Sequence, residues 1–293
     1  MSGGRIRALR WLLVALALGV WGASGGEAQS RRRPPPRYLA INEPDRLEAM
    51  RILEDMRSLS LGGLWSYQEF ELRILPRRGD ERRLAGRMFA ERNATGPLLR
   101  IEVTEADASV DVVLVQSGER PAAWRLSTGL DAEPISGAQA MQPLAGTNLS
   151  AADLQMPYIF WKDFVYEGRE ESAGRPAFVF LLYPPAADAD AYPEIGGVRA
   201  YIDTQFHVPT RIQWVDDAGK PLKTISVVSL MKVEERSGVK SFDVRDERTR
   251  DKTRLVFTAV APDVKLPADL FSPSGPGGPA KVEIPAAELK SVR

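Results

Sequence analysis

The residues that could support chemistry are few, because the 293-residue chain has one histidine and no cysteine. A catalytic base or metal ligand of the imidazole type would therefore have to be His207. It lies in QFHVPT, directly before a Val-Pro pair at a predicted turn, and no G-x-S-x-G motif accompanies it. We interpret His207 as a solvent-facing turn residue and expect no catalytic residue. An enzyme is the least favoured of the three functions considered for this chain, after the two binding functions described below.

Carboxylates are the other groups that could bind a metal ion or hydrolyse a bond, and they are dispersed along the chain. Asp188 and Asp190 lie close together in a predicted turn, but they lack the glycine and the closing glutamate of a calcium loop. Glu170 and Glu171 are adjacent on a predicted strand, where neighbouring side chains point to opposite faces and cannot flank one glycosidic bond. We therefore expect neither a metal ion nor a cofactor.

Aromatic residues are more informative, because five of them lie within the segment MPYIFWKDFVYEG. Leaving such a cluster in water would be unfavourable. Ordinary core packing is one explanation. The alternative is that Tyr158, Phe160 and Trp161 line an apolar cavity, because a curved sheet that its own side chains do not fill leaves room for a ligand.

Two helices are predicted. Apolar residues recur at intervals of three through DRLEAMRILEDMRSL, starting with Leu47 and Met50, with charged residues between them. This pattern predicts one amphipathic helix at about residues 45–60, before a Gly-Gly pair. Ser150 followed by Asp153 has the spacing of a capping box and predicts a short helix, AADLQM.

Alternating apolar and polar residues predict strands through most of the remaining chain. Turns at Asp216–Gly219 and at Ser237–Gly238 are expected to join neighbouring strands of an antiparallel meander. The predicted strands are LWSYQEFELRIL, RRLAGRMFAER, LLRIEVTEADASVDVVLVQ with a break near 106–109, a short one at 123–126, DFVYEGREE, PAFVFLLYP, GVRAYIDT, VPTRIQWVD, LKTISVVSLMKVE, VKSFDVRDER and TRLVFTAVAP.

One face of this sheet is predicted to be apolar, because residues two apart on a strand share a face. We expect that face, together with the aromatic segment, to line the cavity. The predicted lining residues are Phe178, Phe180, Leu182, Ala200, Ile202, Ile212, Trp214, Ile225, Val227, Leu255, Phe257, Tyr158, Phe160 and Trp161.

The N-terminus has the pattern of a secretory signal peptide. Three arginines precede the apolar run Trp11–Trp21, and small residues follow at Gly26–Ala28. Residues 1–28 are therefore predicted to be a signal peptide cleaved after Ala28; a retained anchor is the alternative. An exported chain without cysteine must depend on its packed core rather than on disulfides.

Composition predicts the remaining organisation. Residues 29–41 combine arginines with prolines and are expected to form a spacer. The alternative is that the arginines bind acidic lipids. Residues 42–273 are expected to form one folded domain, and the Gly/Pro-rich residues 274–293 a flexible tail. The formal net charge of +0, with basic and acidic residues intermixed, argues against a nucleic-acid partner.

Three segments resemble the LolA-like group of outer-membrane lipoprotein-sorting proteins. They are LAGTNLSAADL at 144–154, VRAYIDTQFHVPTRIQWVDDAGKPLKTI at 198–225 and LPADLFSP at 266–273. The first is similar to the family's G-[ST]-D-F-S-Y-E-D-L segment, but Asn148, Ala151 and Ala152 replace its acidic and aromatic positions. The resemblance implies an α+β, mainly antiparallel fold: an unclosed β-barrel wrapped around a few helices.

The resemblance also implies a function. The apolar cavity of such a fold would shelter lipid or the acyl chains of lipoproteins. The protein would be a monomeric periplasmic carrier that contacts a membrane transiently, with an inner-membrane transporter as a candidate source of its cargo. The main alternative is an envelope sensor that uses the same half-barrel to signal to a membrane partner.

Overall fold

The computed structural model describes residues 33–37, 46–62 and 65–292 of the chain. The predicted signal peptide and most of the predicted spacer lie outside the described residues. Side chains at 59–62, 187, 189 and 190 are likewise not described. No helix in the described part of the chain is long and apolar enough to cross a membrane.

The described residues form two α-helices, several 3-10 turns and one antiparallel sheet of fourteen strands. The predicted strands and both predicted helices are found close to their expected positions. The helices are α1 (Arg46–Gly62) and α2 (Ala151–Gln155). The strands are β1 (Tyr67–Leu75), β2 (Arg82–Arg92), β3 (Pro97–Thr104), β4 (Val110–Gln116), β5 (Ala122–Arg125), β6 (Glu133–Pro134), β7 (Asp163–Ser172), β8 (Arg175–Tyr183), β9 (Gly197–Asp203), β10 (Pro209–Val215), β11 (Pro221–Val233), β12 (Arg236–Asp246), β13 (Lys252–Ala261) and β14 (Lys290–Ser291).

The strand order leaves the sheet open. It runs β6-β5-β4-β3-β2-β1-β13-β12-β11-β10-β9-β8-β7, and the short β14 pairs with β13. Strands β6 and β7 are therefore the two ends of the sheet. The chain between them, residues 135–162, carries α2 and packs on the inner face of the sheet. This is the unclosed, mainly antiparallel barrel with few helices that the sequence predicted.

One of the two predicted turns is confirmed and the other is wrong. The Asp216 carboxylate accepts the backbone N–H groups of Ala218 and Lys220 in the β10–β11 turn, where Gly219 has a φ of +78°. The β11–β12 turn instead lies at 234–235, and Gly238 is paired within the sheet opposite Met231. A Cβ on Gly238 would lie 3.2 Å from the Trp65 indole nitrogen, so close packing explains this glycine.

Helix α1 buries a different stripe of residues from the one the three-residue repeat suggests. Leu53 and Met56 are buried, but Leu47 and Met50 are 66% and 50% exposed. An α-helix has 3.6 residues per turn, so a strict repeat of three drifts around its surface. The buried stripe has the expected spacing of three and four residues: Ala49, Ile52, Leu53 and Met56.

The C-terminal segment packs on the outer face of the sheet instead of forming a loose tail. Ala280 is buried there in an apolar cluster with Tyr67, Phe89 and Leu114. The buried Glu102 carboxylate accepts the Ala280 N–H at 2.7 Å, while Arg100 donates to the Pro276 and Gly278 carbonyls. Glycine and proline keep residues 274–285 out of regular strands, but they leave the carbonyls there free to accept these hydrogen bonds.

The described part of the predicted spacer, residues 33–37, also packs on the outer face. Pro34 is buried, and its carbonyl accepts a hydrogen bond from the Tyr183 hydroxyl at 3.0 Å. The Arg37 N–H donates to Glu167 at 2.9 Å, and its guanidinium donates to the Tyr201 hydroxyl at 2.6 Å. We call residues 33–37 the N-terminal strap.

Candidate functional site

Nine of the fourteen predicted lining residues lie together in one buried cluster on the inner face, beneath α1. We call it the α1 cluster. Helix α1 contributes its buried stripe, and the loop before β9 adds Tyr192 and Ile195. The nine are Phe178, Phe180, Leu182, Ala200, Ile202, Ile212, Trp214, Tyr158 and Trp161.

The other five predicted residues lie at the margin of this cluster or beyond it. Phe160 is partly buried against it. Leu255 and Phe257 belong to a second inner cluster beside α2, and Ile225 contacts both clusters. Val227 is half-buried and belongs to neither. The predicted lining is thus divided between two adjoining clusters, and its role in ligand binding stays a prediction.

The α1 cluster is closed in this structure, because its own side chains pack against one another. Phe180, Ala200 and Trp214 are 0% exposed. The Trp214 ring lies 5.8 Å from the Tyr158 ring and 6.4 Å from the Trp161 ring, both near the perpendicular arrangement that aromatic pairs favour. A ligand can reach this surface only if the layer that covers it moves.

Polar contacts of Asp55 and Arg57 join α1 to the β9–β10 turn and to the 3-10 turn at Pro157–Phe160. Asp55 and His207 approach at 2.8 Å between Oδ2 and Nδ1, and Arg57 donates from Nε to the Ile159 carbonyl at 2.8 Å. The Arg57 guanidinium also lies 5.5 Å from the centre of the Phe160 ring. His207 lies in a turn as predicted, with a φ of +53°, but its imidazole contacts Asp55 and is 29% exposed. The sequence does not reveal this partner, which lies on α1.

Helix α2 is attached more firmly, through the buried carboxylate of Asp153. The predicted capping box is present, because Asp153 accepts the Ser150 hydroxyl and N–H, while the Ser150 hydroxyl accepts the Asp153 N–H. Asp153 also accepts the Trp214 indole N–H at 3.0 Å and pairs with Lys223 at 2.8 Å. These last two partners come from β10 and β11, so α2 is fixed to the floor of the α1 cluster.

Burial raises the pKa values of three tyrosines: Tyr158 and Tyr192 in the α1 cluster, and Tyr67 on the outer face of the sheet. Burial, and then Asp188, raises the pKa of Tyr192 to about 12; burial, and then Glu69, raises the pKa of Tyr67 to about 12. Burial, followed by Asp153, also raises the pKa of Tyr158. The folded state therefore holds protons that the unfolded chain releases near pH 10.

We expect this difference to make the protein less stable in alkali. Because the folded pKa values exceed the unfolded ones, their stabilising effect is complete below pH 10 and falls as the pH rises from about 10 to about 12. Urea unfolding across this pH range should show a smaller loss of unfolding free energy in Tyr192→Phe than in the wild type. If stability depends on pH identically in the two proteins, the raised pKa of Tyr192 does not contribute to the loss.

A cleft of about 400 Å³ opens beside the α1 cluster. Phe160 and Trp161 form part of its wall, so two of the predicted lining residues face this space. The other walls come from the β4–β5 turn, the end of β8 and the 3-10 turn at Ala186–Ala191. Within the described ranges, no group of three or more histidine or acidic side chains is arranged to hold a metal ion.

Comparison with known proteins gives the fold. A family model described as an uncharacterized protein matches residues 131–275. No curated protein matches the sequence.

Among solved structures, a domain from Vibrio parahaemolyticus described as an outer membrane lipoprotein-sorting protein is 17% identical, with a TM-score of 0.66 over 76% of this chain and 95% of its own. A DUF1329 family protein from Desulfovibrio piger is 15% identical, with a TM-score of 0.63 over 76% and 96% of the two chains. A LolA superfamily protein from Nitrosomonas europaea is 14% identical, with a TM-score of 0.58 over 76% and 97%. The protein therefore has the LolA-like fold that the sequence motifs predicted.

Proposed function

We propose that this protein is exported to the periplasm, binds a lipid or the acyl chain of a lipoprotein on the inner face of its sheet, and carries it between the inner and outer membranes. The observation that carries the proposal is the α1 cluster: a large apolar sheet surface covered by α1 and by the segment around Tyr158 and Ile159, with α1 attached through polar contacts of Asp55 and Arg57. The pattern of a signal peptide at residues 1–28 supports export. The LolA-like fold is consistent with such a role.

The free energies of burial favour replacement of α1 by an acyl chain on the sheet. Burial of Ile52, Leu53 and Met56 contributes about 1.5 to 3 kcal/mol for each side chain. An acyl chain of about 15 methylenes gains about 12 kcal/mol at about 0.8 kcal/mol for each group. A single chain can therefore offset the displacement of α1. Since an apolar cargo will not leave into water, we propose that α1 moves when a membrane partner docks, while α2 stays fixed through Asp153.

Weakening the packing of α1 against the α1 cluster should increase the rate of ligand uptake. Met56→Ser removes a fully buried side chain from the α1 cluster, and truncations of this kind cost about 2 to 5 kcal/mol. If α1 is the lid, this change raises the open population, and a fluorescent fatty acid should bind at least roughly tenfold faster. Stopped-flow fluorescence measures the rate.

The matched control is Met50→Ser on the same helix, where the side chain is 50% exposed and the rate should not change. Equal rates in both variants, with both proteins folded by circular dichroism, would refute α1 as the lid.

Transfer of lipid between membranes is tested separately from binding. Purified protein should accelerate the transfer of a fluorescent phospholipid from donor to acceptor vesicles. Binding of the fatty acid without any transfer would instead favour the sensor alternative, in which the ligand changes affinity for a membrane protein.

A further inference from the structure

The cleft beside the α1 cluster combines aromatic walls with charged groups. Phe160, Trp161 and Tyr183 supply the aromatic surface, and the rings of Phe160 and Tyr183 already lie 5.5 and 5.0 Å from the guanidinium groups of Arg57 and Arg33. Trp161 belongs to the cleft and also to the α1 cluster, where its ring lies 5.9 Å from that of Tyr192. The inner end of the cleft therefore meets the apolar surface on which the proposed acyl chain would lie.

Three charged side chains that line this cleft have no partner of opposite charge among the described residues. Glu119, Lys162 and Asp188 form no ion pair within 4.0 Å with any residue of the described ranges. Asp163 lines the same cleft but is already paired, with Arg33 of the N-terminal strap at 2.5 Å. Two carboxylates and one ammonium group thus remain available to a ligand.

These groups select the chemistry of that ligand. The carboxylates attract an ammonium group, and the Lys162 ammonium attracts a phosphate. A ligand that carries a cation next to a phosphate satisfies all of them. A ligand with only negative charge would bring that charge towards Glu119 and Asp188, where repulsion opposes binding.

We propose that the cleft binds the zwitterionic head group of a phospholipid whose acyl chain lies beneath α1. This inference rests on the proposed function and adds a preference to it: phosphatidylcholine and phosphatidylethanolamine are bound in preference to phosphatidylglycerol. Glu119 and Asp188 hold the ammonium group, and Lys162 holds the phosphate.

The test measures head-group preference at constant acyl chain. Isothermal titration of the mature protein with dihexanoyl phosphatidylcholine and dihexanoyl phosphatidylglycerol, both below their micelle-forming concentrations, should show roughly tenfold tighter binding of the first. In the double variant Glu119→Gln/Asp188→Asn this preference should disappear. Lys162→Gln should weaken binding of both phospholipids but leave binding of a fatty acid unchanged.

The control is Asp217→Asn, which neutralises an exposed carboxylate in the β10–β11 turn and should keep the full preference. Equal affinity of the wild type for the two phospholipids, or a preference that survives in the double variant, overturns the head-group assignment while fatty-acid binding still supports the α1 site. Failure to bind the fatty acid and both phospholipids overturns the proposed function together with this inference.

Discussion

Joining α1 to the sheet by a covalent link between positions 55 and 207 should abolish ligand uptake. The Asp55 and His207 side chains meet at 2.8 Å across the boundary between the helix and the β9–β10 turn. The chain has no native cysteine, so Asp55→Cys/His207→Cys provides the only two thiols. Reaction with a short bis-maleimide would hold α1 over the α1 cluster, and a population locked in the closed state cannot bind.

The measurement is binding of a fluorescent fatty acid before and after the cross-link, and the expected loss is at least roughly tenfold. Each single-cysteine variant, treated with the same reagent, controls for modification of either position and should keep its uptake. A cross-linked protein that binds the probe as well as the untreated one would show that the ligand does not enter beneath α1.

Neutralising Glu167 should destabilise the fold more than most single changes. Glu167 and Arg199 have side chains 0% and 1% exposed, and the guanidinium donates from two nitrogens to the two carboxylate oxygens. Removal of one partner from a buried ion pair leaves the other charge without compensation and costs about 3 to 5 kcal/mol. For Glu167→Gln we expect a Tm lower by about 10 °C, measured by calorimetry.

Two further variants make this prediction specific. Glu235→Gln breaks the Lys232–Glu235 pair, whose side chains are 61% and 94% exposed, and should hardly change the Tm. The double variant Glu167→Leu/Arg199→Met removes both buried charges and should recover much of the loss, because apolar pairs often replace buried ion pairs without cost. A double variant as unstable as Glu167→Gln would indicate that packing or the lost contact with Arg37, and not the unpaired charge of Arg199, causes the effect.

Local sequence patterns predicted the strands well, because their signals lie within one strand. Alternation identified the face of β8 that carries Phe178 and Phe180, and the Ser150–Asp153 spacing predicted the start of α2. Both depend on residues a few positions apart. The LolA-like motifs added the unclosed barrel, which periodicity alone does not specify.

The contacts that the sequence did not reveal join residues far apart in the chain. Lys223 and Trp214 meet Asp153 only after the middle segment folds onto the inner face. The Gly/Pro-rich C-terminal segment looks unstructured by composition, yet it packs because Arg100 and Glu102 on β3 bind its backbone. Composition describes a segment by itself and cannot account for a partner supplied by a distant strand.

The position of β1 in the sheet has a consequence for how the chain folds. Its neighbours are β2 and β13, with Tyr67 opposite Ala261, so the centre of the sheet forms only when the last long strand arrives. Pairings between such distant residues form slowly, because a large loop must close before the contacts stabilise it. The centre of the sheet should therefore stay unformed until the last long strand of the newly made polypeptide has been synthesised.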